Sequence, residues 1–323
     1  MANRNTASSR RGRQAVRPGQ IPKPGWKDIL KRTKAEMARD HVSIVAAGIA
    51  FYGLLAIVPA IVATISLWAI IFDPQQITQQ ISSISHLLPE EAANIIRQQA
   101  ERASQDAGTG MSLAAAGGVL LAIYSASRGV NGFMEGLNIV YDEEENRGVL
   151  KRTVLKLLLT IGAIFMTLVT LGVITVIPTI TDLIGLSAFA SFLVNLARWP
   201  LLMVVTMLAI AILYHYGPDR NKPRWQWASI GSLVAVLLWL LVSIAFSIYV
   251  RNFGSYDEVY GSLGAVIILL MWFWLSAYIV LMGAELNSEM EHQTKQDTTV
   301  GENERMGERD AYVADTLGER KDE

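Results

Sequence analysis

Apolar residues in this chain come in runs too long for a surface helix. Positions 42–72 hold 31 residues without a charge, and the 26 residues between Glu258 and Glu285 hold none either. A helix of that second length rises roughly 39 Å, enough for the hydrocarbon of a bilayer and part of both headgroup layers. Six such stretches can be marked, at about 45–72, 108–127, 157–180, 199–216, 225–250 and 260–284. Charged residues are confined to short blocks between them. The pattern predicts an all-α, polytopic membrane domain over 26–288 with six transmembrane helices.

Local signals refine the spans. Pro59 lies inside the first and predicts a kink. The second is rich in small residues (Ala114, Ala115, Ala116, Gly117, Gly118), which favours close helix packing. Arg198-Trp199-Pro200 reads as a basic anchor, an interfacial aromatic and a first-turn proline opening the fourth span. The shorter apolar stretch 182–197 reads as an interfacial helix, and 74–105 as a helical hairpin outside the bundle. The polar, charged segments 1–25 and 289–323 have the composition of disordered tails.

Composition changes this picture little. The chain is 51% hydrophobic and 18% charged, with a mean hydropathy of +0.31. It has no cysteine, which removes disulfides, thiolate catalysis and cysteine-ligated zinc. The polar residues ahead of a first apolar run this long make a cleavable leader unexpected. Placement of basic residues is more informative. Segments 1–40, 141–156 and 217–225 together carry eighteen Lys and Arg, whereas the alternate loops carry four, Arg97, Arg102, Arg198 and Arg251. The positive-inside bias then places both termini in the cytoplasm.

Several stretches are similar to a known family. "AAGIAFYGLLAIVPA" (46–60), "SASRGVNGFMEGLNIVYDEEENR" (125–147), "ARWPLLM" (197–203) and "NFGSYDEVYGSLGAVIILLMWFWLSAYIVLMGAELN" (252–287) resemble the YihY/BrkB family of bacterial inner-membrane proteins. The resemblance runs over about 28–290 and leaves the acidic C-terminal segment outside. It implies a six-helix protein of the bacterial inner (plasma) membrane. Members of that family have carried the label ribonuclease BN, or a link to virulence and serum resistance.

The residues give a nuclease little to work with. RNA hydrolysis needs a metal held by clustered carboxylates or histidines, or an acid–base pair near a phosphate. His41, His86, His215 and His292 are scattered, and the acidic run 142–145 lies beside Arg147 and Lys151 at a helix boundary, where a solvated connector is its simplest reading. No phosphate loop, dinucleotide fingerprint or HExxH motif is present. The basic N-terminus is explained by topology and anionic lipid rather than nucleic acid. No catalytic residue, metal ligand or cofactor is therefore assigned. The expected partners are membrane lipids and an unidentified small-molecule or lipid substrate, and a homo-oligomer is compatible with the sequence.

Three groups of polar residues stand out. In 128–142, Val130, Phe133, Met134, Leu137 and Tyr141 form one helical stripe, and Asn131, Glu135, Asn138 and Asp142 another. One reading is an amphipathic helix lying on the cytoplasmic leaflet. The other lines a hydrated route with Arg128, Asn131, Glu135 and Asn138. On the outer side, Asn252, Gly254, Ser255, Tyr256, Tyr260, Gly261 and Gly264 form either a structural hairpin or a gate. Finally, Glu285 and Asn287 end the last apolar run at the far interface, with water in reach of the carboxylate. A structural clasp is favoured over a proton carrier there. Movement of a solute or lipid-like molecule is the favoured function, ahead of a non-transporting envelope scaffold and, third, a membrane-associated ribonuclease.

Overall fold

A computed structural model describes residues 11–71, 113–184, 187–252 and 262–319. A 3-10 turn (Pro18–Gln20) leads into α1 (Lys23–Arg39). Six long helices follow: α2 (Val42–Ile71), α3 (Leu113–Val140), α4 (Val149–Ile184), α5 (Ala188–Tyr216), α6 (Trp225–Asn252) and α7 (Ser262–Glu291). A single turn, α8 (Tyr312–Asp315), comes last. Among the described residues the fold is all-helical apart from one isolated antiparallel bridge, Pro223 to Thr299.

Each of α2 to α7 packs on the next, and α7 returns to α2, so the contacts close into a ring. Helix α7 also packs on α1 and α3. Helices α4 to α7 each contain a stretch long and apolar enough to cross a bilayer: Val149–Ile174, Phe189–Tyr216, Trp225–Arg251 and Val266–Glu291. Leu158, Phe165, Phe192, Trp199, Leu241 and Ile244 are each more than half exposed on these helices. A belt of that extent cannot face water without aggregating; it is a lipid-facing surface.

The core lies at one end of the ring. Val42, Ala46 and Ile49 of α2 meet Leu137 and Val140 of α3, Tyr214 of α5, Ala228 of α6 and Leu281 and Ala284 of α7. Glycine makes the approach possible: Gly132 faces Ile49, and Gly136 lies against Val45 and Leu281. Helix α3 stops where Asp142 takes a left-handed conformation, φ 53°. That geometry suits a short polar residue better than a branched one.

Three expectations about the elements need correction. Residues 188–197 are not a separate interfacial helix but the first turns of α5, capped by the Ser187 hydroxyl accepting from the Ala190 N–H. Pro200 therefore falls inside a helix, a position tolerated in membrane bundles because neighbouring elements satisfy the freed backbone groups. Segment 128–140 is likewise no separate surface helix; it continues α3 without a break. The expected hairpin at 74–105 lies outside the described residues.

The third correction concerns the tails. Residues 11–21 and 292–319 fold over the end of the bundle instead of trailing from it. Arg13 donates to the carbonyls of His292 and Gly318, and the Lys295 N–H donates to the Arg13 carbonyl. Gln293 and Thr294 donate to the carbonyls of Arg11 and Ala15. Buried Arg32 pairs with Glu289. The Arg309 guanidinium donates to the carbonyls of Lys295 and Ala314, while Asp297 accepts from the backbone N–H groups of Thr299 and Glu304. These polar side chains are consumed by specific partners, so composition alone misreads them as solvated. Residues 1–10 and 320–323 are outside the description.

This cap predicts a pH response. The Tyr312 N–H donates to Glu143 at 2.8 Å. Burial beneath the cap pushes the Glu143 carboxyl up to about 7, against the opposing pull of that hydrogen bond. A carboxyl raised by docking stabilises the docked state fully below its free value and loses that contribution as pH rises through the docked value. Segment 292–319 is therefore expected to be cleaved by added protease more slowly at pH 5.5 than at pH 8. A rate that is flat, or faster at pH 5.5 after correction for protease activity, would reject this coupling.

Candidate functional site: a charged cavity between α2, α3 and α4

A cavity of about 530 Å³ opens where α3 and α4 part, with Tyr52 of α2 on its wall. Helix α3 supplies Tyr124, Arg128, Asn131, Gly132 and Glu135; the connector supplies Glu145 and Arg147; α4 supplies Arg152, Thr153 and Lys156. Helical spacing explains both walls. Residues 124, 128, 131 and 135 recur every three or four positions, and 149, 152, 153 and 156 follow the i, i+3, i+4, i+7 pattern of one helical face.

The charges are linked across the gap. The Arg152 guanidinium donates to Glu135 at 2.8 Å and to the Asn131 side-chain oxygen at 3.1 Å. The Asn131 amide donates to the same Glu135 oxygen. Arg147 grips Glu145 with two bonds of 2.6 Å and stands 3.4 Å from Asp219. Burial alone would raise the Glu145 carboxyl, but the hydrogen bond and charge of Arg147 hold it below the usual range. Arg128 is differently placed: its guanidinium donates to the Tyr124 hydroxyl at 3.2 Å and lies over that ring.

Of the four α3 residues expected to share a polar route, Arg128, Asn131 and Glu135 line this cavity and Asn138 does not. Asn138 is buried, donating to Glu145 and accepting the Asp219 N–H at 2.8 Å. It braces the two connectors instead. The partners on α4 are not among the residues that stand out in the sequence, where Lys151, Arg152 and Lys156 serve only as a topology signal. Their four-residue spacing was the available cue. A second cue is Thr153, Thr160 and Thr167, seven apart, on the face of α4 that carries Arg152 and Lys156.

Glu285 does not meet Arg128. It is 1% exposed, with Oε2 buried and lacking a hydrogen-bond partner. This corrects the expectation of a hydrated interfacial carboxylate: α7 continues to Glu291, and the cap covers its end. Asn287 does join two helices. Its side-chain oxygen accepts the Gly231 N–H at 2.8 Å, and its amide donates to the Ala228 carbonyl. On the opposite side, 253–261, with Gly254, Ser255, Tyr256, Tyr260 and Gly261, are outside the described residues. Gly264 is buried at the start of α7.

The lipid-facing belt and the cavity beneath it define a class, a helical membrane protein with a charged recess at one end of its bundle. Within that class, the chain belongs to the Virulence factor BrkB family, whose model matches residues 33–307. The match extends past the helices into the folded cap, beyond the limit of about 290 set by the quoted motifs. Among relatives, YfkH of Bacillus subtilis, named as ribonuclease-like, is 27% identical over 257 residues, 77% of this chain and 90% of the relative. A UPF0761 membrane protein of Vibrio cholerae is 28% identical over 267 residues, covering 80% of this chain and 86% of its own. A similarly named protein of Vibrio atlanticus is 28% identical over 262 residues, 80% of each chain. No solved structure matches.

Proposed function

We propose that the protein moves a polar or lipid-like molecule across or within the bacterial inner membrane, with the charged cavity as the cytoplasmic mouth of its route. The observation that carries this reading is the crossed network of Arg152, Glu135 and Asn131 in a cavity of about 530 Å³. Ionisable groups in a membrane bundle are expensive to place and mark substrate or ion paths by default. The threonines at 153, 160 and 167 extend the polar face along α4, away from the cap.

The same reading includes six spans with both termini cytoplasmic. Two features support it: the eighteen-to-four basic asymmetry, and the gathering of both terminal segments with the 141–148 and 217–224 connectors in one cap. A second reading is an envelope scaffold that uses this folded cap as a docking face. A nuclease is not proposed. His215 stacks on Trp225 and His292 bonds Thr316, so each is engaged structurally.

Single cysteines can be introduced cleanly into this cysteine-free chain. Cysteine at Asn146 or Asn221 is expected to react with an impermeant maleimide only in inverted vesicles, and cysteine at Ser82 only in intact spheroplasts. Cysteine at Thr153 should react from the cytoplasmic side and, in a transporting molecule, from the outside as well. Reaction from the cytoplasmic side alone would favour the scaffold. Protection from both sides would end the cavity reading, and a reversed pattern at Asn146 and Ser82 would end the topology.

A further inference from the structure

The charge balance of the cavity identifies what it is built to hold. Its walls carry four cations, Arg128, Arg147, Arg152 and Lys156, and two carboxylates, Glu135 and Glu145. Arg147 is matched by Glu145 and Asp219, and Arg152 by Glu135. Arg128 and Lys156 have no carboxylate within ion-pair distance among the described residues. Both line the same recess as the Tyr124 hydroxyl, to which Arg128 donates. Counted with Asp219, the recess keeps a net positive charge, and it sits on the two cations that lack a carboxylate, Arg128 and Lys156, which favours an anion there. Arg128 and the Tyr124 ring are exposed at the mouth of the recess, which α2, α3 and α4 line, so an incoming anion can reach them from water.

We propose that Arg128 and Lys156, with the Tyr124 hydroxyl, form a subsite for a phosphate-type dianion, the charged end of the molecule that the cavity admits. This deepens the transport reading and rests on it. A phosphate monoester carries about −1.5 to −2 charges at neutral pH, which balances two cations, whereas a carboxylate balances one. The Arg128 guanidinium presents the planar fork that matches phosphate oxygens, the Lys156 ammonium adds a point charge, and the phenol adds a neutral donor. The Glu135–Arg152–Asn131 network needs no anion and bridges the same two walls a turn or more nearer the 141–148 connector, which leaves the subsite at the other end. Two sources offer this chemistry: a soluble organic phosphate monoester from the cytoplasm and the phosphomonoester headgroup of a lipid such as phosphatidic acid from the inner leaflet.

The test uses the full chain carrying the Thr153→Cys change, purified into nanodiscs, with maleimide labelling rate as the readout. Glycerol 3-phosphate added to phosphatidylcholine nanodiscs supplies the soluble source. Phosphatidic acid mixed into the nanodisc supplies the headgroup source. Protection of the cysteine by either probe is expected, and the probe that protects names the source. In the Arg128→Gln/Lys156→Gln background the half-protecting concentration should rise roughly tenfold or more, as the loss of charge-assisted bonds implies. Lys151→Gln removes a neighbouring cation outside the cavity wall and should change nothing. Should the double variant fail to give a monodisperse peak, the single Lys156→Gln change is measured instead, with a smaller shift in the same direction. A cysteine that labels readily but is protected by neither probe, or is protected equally in the charge-depleted variants, overturns the dianion subsite while leaving the cavity reading intact. A cysteine that never labels overturns the cavity reading, and the subsite with it.

Discussion

Replacing Arg220 with methionine is expected to destabilise the protein by about 3–5 kcal/mol, the usual result of removing one member of a buried ion pair. Arg220 and Glu291 are 1% and 0% exposed, and the guanidinium donates to both carboxylate oxygens, at 3.2 and 2.7 Å. The Tyr141 ring lies 4.9 Å from the guanidinium carbon, and the Thr298 hydroxyl donates to the same carboxylate at 2.6 Å. One substitution therefore loosens the 217–224 connector, the end of α7 and the cap together. It leaves the Glu291 charge buried with a single hydroxyl for company. The midpoint of thermal unfolding in detergent should fall by on the order of 10 °C. Glu291→Leu added to Arg220→Met removes the stranded charge, and the double variant should regain most of the loss. Equal losses in the single and double variants would show that packing, not the pair, holds this corner. A silent Arg220→Met would show that the corner is not held there at all.

That corner also explains what could and could not be read from the sequence. Helices α4, α6 and α7 were legible because an apolar run without charges has few alternatives to a membrane span. Their ends were not. By local sequence the last span ends near residue 284, at the first carboxylate, because a charge marks water. In the folded chain α7 continues to Glu291, because Arg32 and Arg220, from distant segments, supply partners for Glu289 and Glu291. The start of α5 is hidden for a related reason: Pro200 suits a first turn, but Ser187 caps the helix thirteen residues earlier. Local sequence records the preference of each residue for water but not the partner brought to it by the fold.

The candidate site divides along the same line. The α3 wall was visible as a polar stripe on a helix. The α4 wall was hidden, since lysine and arginine at the start of a span satisfy the positive-inside rule without any further role. Nothing local distinguishes Lys151, on the outside, from Arg152 and Lys156, which face α3. Asn138 shares the stripe with Asn131 and Glu135, yet it is drawn away by the Asp219 N–H, a donor 81 residues distant.

The crossing of α6 and α7 gives the second large expected effect. Gly231 and Gly283 let the two backbones touch. A methyl group at Gly283 would fall 2.5 Å from the Tyr214 hydroxyl, 2.7 Å from the Gly231 carbonyl oxygen and 2.9 Å from the Ala235 side chain. At Gly231 it would meet the Gly283 carbonyl and the Asn287 side-chain oxygen, the atom that accepts the Gly231 N–H. Backbone oxygens cannot rotate away as a flexible side chain can, so the helices must separate. Overpacking of this kind costs about 1–3 kcal/mol per site. It should also break the Asn287 clasp and displace Tyr214, whose hydroxyl donates to the Val280 carbonyl. Gly162→Ala on α4 is the control, since a methyl there meets nothing within 4 Å. It should be neutral or stabilising by roughly 0.5–1 kcal/mol, the gain expected on replacing glycine within a helix. The two tight positions share one crossing, so Gly231→Ala and Gly283→Ala combined should lose less than the sum of the singles: once one methyl has parted the helices, the second finds room. Thermal midpoints of the four variants measured in one detergent decide the matter. Gly231→Ala and Gly283→Ala as stable as Gly162→Ala would mean that α6 and α7 do not cross in contact.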